Sequence, residues 1–170
     1  MPGYVIHLAV AKEYLNKNKE NNEEEFIEGV IFPDSVKDKT LTHYGKGSSY
    51  SNLYEFLKDK DIKTSFNRGH FLHLLTDYLF YNRYIDTFSK DMYNDYDLLN
   101  GKLIEKYNVQ LPDKVKDNVF FKDEGELKIL SMEIVDKLIH DISIMNIDEV
   151  ARDVFKEPEK WTEIRELKRI

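Results

Sequence analysis

Apolar residues recur along the chain at helical spacing, i, i+3, i+4 and i+7, whereas the alternation of a half-buried strand is scarce. The pattern predicts an all-α fold of about seven helices. The first covers about Tyr4 to Asn16, apolar through Val5-Ile6-His7-Leu8-Ala9-Val10-Ala11 except at His7. A second starts on the acidic triplet Glu23-Glu24-Glu25, favourable beside the positive end of a helix dipole, and is expected to stop at Phe32, before Pro33. Asp34 to Ser49, with Gly45, Gly47 and paired serines, reads as a loop. Ser51 is placed to cap a short helix through Asp59, and a long amphipathic helix is expected over about Thr64 to Phe88. Helices near Ser89 to Tyr107 and Glu126 to Met145 follow, then two short ones, the last with Pro158 in its first turn. Asn108 to Gly125 carries the weakest pattern. No repeat, low-complexity tract or linker interrupts the chain, so residues 1–170 read as one compact multi-helix bundle.

Composition narrows the chemistry. A chain of 170 residues is long enough to bury roughly 70% of its unfolded surface. The net charge of −7 opposes binding to long nucleic acid, because affinity for a phosphate backbone comes from Lys and Arg. Cysteine is absent, which removes disulfides, thiolate nucleophiles and Cys-based zinc sites. Any metal must therefore be held by imidazole and carboxylate. The opening MPGYVIHLAVAKEYL shows neither a basic leader nor a small-residue cleavage pattern, and no apolar run reaches the length of a membrane span. A cytoplasmic protein is the expectation.

The run GHFLHLLTDYLF concentrates the polar chemistry. At about 100° per residue, His70, His73 and Asp77 fall within roughly 60° of one another on the predicted helix. Apolar residues occupy its other directions, so the three groups would be desolvated together, which is unfavourable unless they are paired or bind a cation. A core histidine bonded to a carbonyl, with His73 and Asp77 as an i, i+4 ion pair, is the plain alternative. His7 has its own plain reading as a core histidine. Asp34, just past a predicted helix end, reads equally as a turn or cap, and His43 as an exposed loop imidazole.

In order, these residues resemble the zinc-dependent phospholipase C family and its wider relatives, the S1/P1 nucleases. The resemblance spans the first half of the chain. It runs from Pro2-Gly3-Tyr4-Val5-Ile6-His7 through Gly29-Val30-Ile31-Phe32-Pro33-Asp34 and His43 to Gly69-His70-Phe71-Leu72-His73-Leu74-Leu75-Thr76-Asp77. It implies an all-α fold with two or three zinc ions inside. Asp34, His43, His73 and Asp77 would correspond to one metal's ligands, with Asp77 bridging to a neighbour, and His7 to a ligand of a further metal. Imidazole and carboxylate suit Zn²⁺ on chemical grounds as well.

The second half departs from that pattern. Family members carry two more histidines after His-x-x-x-Asp, one of them in a further His-x-x-x-Glu or His-x-x-x-Asp pair. Here only His140 follows, with Ile144 four residues on. Asp136 and Glu133 precede His140 on the same helical sector, as ligands or as a solvated face. His70 has no counterpart in the family and is a candidate for the missing imidazole. The metal complement is thus one to three zinc ions, other divalent cations being open.

The function expected is metal-dependent hydrolysis of a phosphoester, phospholipase C-like or phosphodiesterase-like, on a small phosphoester or phospholipid-type substrate. Asp77 would orient or deprotonate the attacking water. Tyr44, Tyr78, Tyr81 and Tyr84 are candidates for shaping the pocket. Two alternatives stand beside this: a non-catalytic protein with one structural or sensing metal, and an HD-type phosphohydrolase built on the adjacent pair His140-Asp141.

Overall fold

A computed structural model describes residues 3–170; Met1 and Pro2, the latter the first residue of the resemblance, lie outside the described residues. Among the described residues eight α-helices carry the fold: α1 (Tyr4–Lys17), α2 (Glu23–Ser35), α3 (Thr40–His43), α4 (Leu53–Asp59), α5 (Ser65–Leu79), α6 (Asp91–Tyr107), α7 (Met132–Ser143) and α8 (Ile147–Lys156). Short 3₁₀ turns lie at Ser48–Tyr50, Asp113–Asn118 and Pro158–Trp161, the last with Pro158 at its start as expected. Among the described residues the only strands are β1 (Thr87–Phe88) and β2 (Lys168–Arg169), a parallel pair. The all-α expectation holds.

Side-chain oxygens start five of these helices. Asn22, Asn52, Thr64, Ser131 and Asn146 each accept the backbone N–H three residues on, satisfying one of the amides that a helix start leaves unpaired. The cap of α4 is therefore Asn52 and not Ser51.

Three boundaries differ from the sequence pattern, each for a local reason. Pro33 does not end α2; it sits in the last turn, where it forfeits one amide bond to the Gly29 carbonyl, and the helix runs on to Ser35. The predicted helix from Thr64 to Phe88 is α only to Leu79. A π-helical turn, Phe80–Tyr84, follows, and β1 begins shortly after. Helix α7 begins at Met132, six residues later than the pattern suggests. The buried Asp95 carboxylate accepts the N–H groups of Lys128, Ile129 and Leu130 at 2.9, 2.7 and 2.8 Å, and this fan of bonds holds the segment in a bend that is not helical. The segment between Asp34 and Ser49 is not a plain loop, since it contains α3.

Helices α1 and α5 run through the core: Val5, Ile6, Leu8, Ala9, Val10 and Ala11 of α1 and Phe71, Leu72, Leu74 and Leu75 of α5 are fully buried. Two glycines set how α2 meets α5. A Cβ at Gly29 would stand 2.0 Å from the Phe66 carbonyl oxygen, and one at Gly69 2.0 Å from that of Phe26. Backbone lies directly on backbone, so the end of α2, with Asp34, is brought against the inner face of α5. No helix of the described residues is long and apolar enough to cross a membrane.

Candidate metal centre

Five of the residues singled out in the sequence converge. α1 delivers His7, the end of α2 delivers Asp34, the short α3 delivers His43, and α5 delivers His73 and Asp77 one turn apart. His7 and His73 are 1% exposed, His43 and Asp77 not at all, and Asp34 is the most open at 8%.

Their contacts are close. His43 Nε2 lies 3.0 Å from Asp77 Oδ2 and 3.5 Å from Asp34 Oδ1. His73 Nε2 lies 3.2 Å from Asp77 Oδ2 and 3.6 Å from Asp34 Oδ1. On the other side of the carboxylate, His7 Nε2 is 3.0 Å from Asp77 Oδ1. Yet none of these facing atoms has a properly aligned hydrogen bond: His7 Nε2, His43 Nε2, His73 Nε2 and all four carboxylate oxygens of Asp34 and Asp77 are buried without a partner. Buried polar atoms are normally satisfied, and such a concentration in one spot calls for a ligand. Tetrahedral coordination with bonds of about 2.0–2.1 Å separates ligand atoms by roughly 3.3 Å, and the observed separations bracket that value. The residues fit a cation.

The far sides of two rings decide which nitrogen faces inward. His73 Nδ1 is 2.7 Å from the Val30 carbonyl oxygen and His43 Nδ1 is 3.0 Å from that of Lys39. A carbonyl can only accept, so each Nδ1 carries a proton and each Nε2 faces the cluster, the orientation of a metal-ligating histidine. His7 stacks on His73 with ring centroids 3.6 Å apart and planes 6° from parallel.

Ligand atoms within 4.8 Å of one another form two groups, Asp34-His43-His73 and His7-His73-Asp77. They meet at His73, and the Asp77 carboxylate turns Oδ2 toward His43 and His73 and Oδ1 toward His7.

Electrostatics favour a dication. Burial alone would neutralise His73, but the carboxylates of Asp77 and Asp34 outweigh it and push its pKa up to about 10. Burial opposes the charge on Asp77 as well, yet His73 and His7 hold that carboxyl well below the usual range, and Asp34 is lowered in the same way. His7 is lowered by burial and by its neighbour His73. In the metal-free cluster the carboxylates of Asp77 and Asp34 hold a proton on His73, and a divalent ion taking the place of that proton would balance the two carboxylates.

Not every candidate joins. His70 points instead to α3: its Nε2 donates to the Thr42 carbonyl at 2.8 Å, and Phe56 and Phe32 flank its ring at 4.6 and 5.6 Å. Burial pulls its pKa down to about 4, so it is neutral and braces the segment that carries His43. His140 is exposed on α7, and Asp136 accepts from Lys106 and Tyr107, so this sector is a solvated face and supplies no ligand. Asp141 accepts from Tyr84 and Lys137, each at 2.7 Å, which leaves the adjacent His140-Asp141 pair on the surface. Three of the four named tyrosines have other tasks: Tyr44 binds Asp59, Tyr78 binds the carbonyls of Lys160 and Glu163, and Tyr84 binds Asp141. Tyr81 lines a separate cavity.

Asp34, whose carboxylate oxygens are buried in the cluster, also borders a cavity of about 560 Å³ lined by Gly3, Tyr4, Tyr93, Tyr96, Asn100 and three lysines, Lys37, Lys39 and Lys114, among others. Sequence reasoning missed this lining. Tyr93 and Tyr96, three apart on α6, were a legible stripe, but nothing local announced that α6 packs beside α1.

No family model, curated protein or solved structure matches the chain.

Proposed function

We propose that this protein is a metal-dependent hydrolase of phosphoester bonds, of the zinc-dependent phospholipase C type. One observation carries the reading: seven buried nitrogen and oxygen atoms of His7, Asp34, His43, His73 and Asp77 face one another without hydrogen bonds at ligand-to-ligand spacing, beside a cavity of substrate size. A bound divalent cation would supply Lewis acidity toward a phosphoryl oxygen and bring the pKa of a water toward about 7.

The chain's own residues set up the rest. His43 and His73, held by the Lys39 and Val30 carbonyls, are oriented with Nε2 toward the centre, and His73 would release the proton that the carboxylates hold as it takes a metal. Asp77 is the residue through which α1 and α3 meet, and its carboxylate would orient an attacking water. Asp34 alone of the five borders the cavity, so a phosphoester would have to approach the centre from the Asp34 side. Burial of the other four excludes bulk water from the remaining sides.

A second reading, a protein with one structural metal, is favoured by the exposed position of His140, which leaves the second half of the chain without a histidine ligand. Metal analysis and an activity screen separate the two. Two or more equivalents of zinc per chain, with hydrolysis of bis-p-nitrophenyl phosphate or p-nitrophenyl phosphate that is lost in His73→Ala and Asp77→Ala, are the outcomes expected for the hydrolase. A single equivalent without turnover supports the structural reading, and activity that survives both substitutions overturns the hydrolytic one.

A further inference from the structure

The cavity over Asp34 has a charge character opposite to that of the molecule. Its charged lining is Asp34, Lys37, Lys39, Asp97 and Lys114, in a chain whose net charge is −7. Asp34 turns its carboxylate into the metal cluster, so its charge is spent there. That leaves three ammonium groups against Asp97.

The lysines differ in what they can do. Lys39 donates to the carbonyls of Asp34 and Val36, which fixes its charge next to the reacting position. Lys37 is exposed, and among the described residues no carboxylate pairs with it. Lys114, on the 3₁₀ segment that forms another wall, is 3.9 Å from Glu28 in a solvated contact with both side chains largely exposed, a pairing weak enough to exchange for a better anion. Exposed aromatic surface is present too, with Tyr93 at 57% and Phe120 at 63% beside these lysines.

Resting on the hydrolase reading above, we infer that the cavity takes a small phosphoester bearing a second anionic group away from the scissile phosphoryl, and that Lys37 and Lys114 are the residues that select it. A volume of about 560 Å³ holds a small ligand and not a polymer. A quaternary ammonium head group would meet lysine charge of its own sign, so the chemistry that fits is a compact di-anion, with a planar spacer lying against Tyr93.

Two non-hydrolysable probes test this by binding alone: phenylphosphonate, and 4-phosphonobenzoate, which adds a carboxylate at the far end of the same ring where it cannot chelate the same ion. In calorimetry on the zinc-loaded protein, 4-phosphonobenzoate should bind about tenfold more tightly, a preference that shrinks with added salt. In the Lys37→Ala/Lys114→Ala double variant the ratio should fall to about one, while a Lys58→Ala control, on α4 and outside the cavity, should keep the wild-type ratio. A zinc-loaded protein that binds both probes equally, or a double variant that keeps the preference, overturns the inference and leaves the hydrolase reading intact. A protein that takes up no zinc and neither probe overturns both.

Discussion

His73 and Asp77 lie one turn apart on α5 with Nε2 and Oδ2 3.2 Å apart, and neither atom has an aligned hydrogen bond. An i, i+4 pair this close in water would be a modest ion pair. Here it is fully buried, and His43 and His7 close on the same carboxylate from two other helices. Removing that charge should dismantle the centre. Asp77→Asn keeps the volume but offers one poor donor oxygen in place of two, so zinc per chain after dialysis should fall from its wild-type value to near zero. Retention of the full complement in this variant would mean that the ligands lie elsewhere.

Metal occupancy should also be visible in stability. A cation that binds only the folded chain adds about 2.7 kcal/mol at a hundredfold excess over its dissociation constant. For a chain of this length each kcal/mol moves Tm by roughly 2–4 °C. Chelation followed by a thermal melt should therefore lower Tm by about 5–10 °C, and zinc should restore it. His7→Ala, His43→Ala and His73→Ala should each abolish the response to zinc.

The charge state of His73 gives a pH dependence with a definite sign. Without metal the two carboxylates hold its proton until about pH 10. Coordination through Nε2 needs the neutral ring, so a proton must leave as the metal arrives. Raising the pH lowers that cost up to the pKa, and zinc affinity should increase about tenfold per pH unit between roughly pH 6 and 8 if a single proton is displaced. Calorimetry in buffers of different ionisation heat should report the release of about one proton per ion bound at pH 7. No release would mean that His73 does not coordinate.

How far the chain could be read from its sequence depended on how local each cause is. His73 and Asp77 were legible because one helical period sets both on a buried face. Asp34 and His43 were legible only through their order in the chain, since their meeting depends on the crossing of α2 with α5 and on the turn of α3. His70 was placed at the centre because it shares the helical sector of His73. A step of three residues, however, turns it about 60° aside, and the Thr42 carbonyl, which no periodicity announces, takes its nitrogen. The start of α7 was misplaced because its determinant, Asp95, lies more than thirty residues earlier and acts through three backbone amides. Pro33 shows the limit of a local rule: in a last turn a missing amide costs one bond, and the helix absorbs it.

The crossing of α2 and α5 is the structural condition for the centre, and two glycines bear it. At Gly29 and Gly69 an added Cβ would stand 2.0 Å from a backbone oxygen of the other helix. No side chain can swing away there, so the helices themselves must separate. Alanine in a helix ordinarily gains about 1 kcal/mol over glycine, and overpacking a rigid contact costs about 1–3 kcal/mol or more. The second effect should win: Gly29→Ala and Gly69→Ala should each destabilise the protein by at least about 2 kcal/mol in chemical denaturation. Gly47 is the counterpart, since its backbone is extended and a Cβ would meet nothing within 4 Å, so Gly47→Ala should stay within about 0.5 kcal/mol of wild type. Separation of the helices would also carry Asp34 away from His73. Whatever fraction of Gly29→Ala remains folded should therefore bind zinc more weakly than wild type, whereas undiminished affinity in that variant would show that Asp34 does not belong to the site.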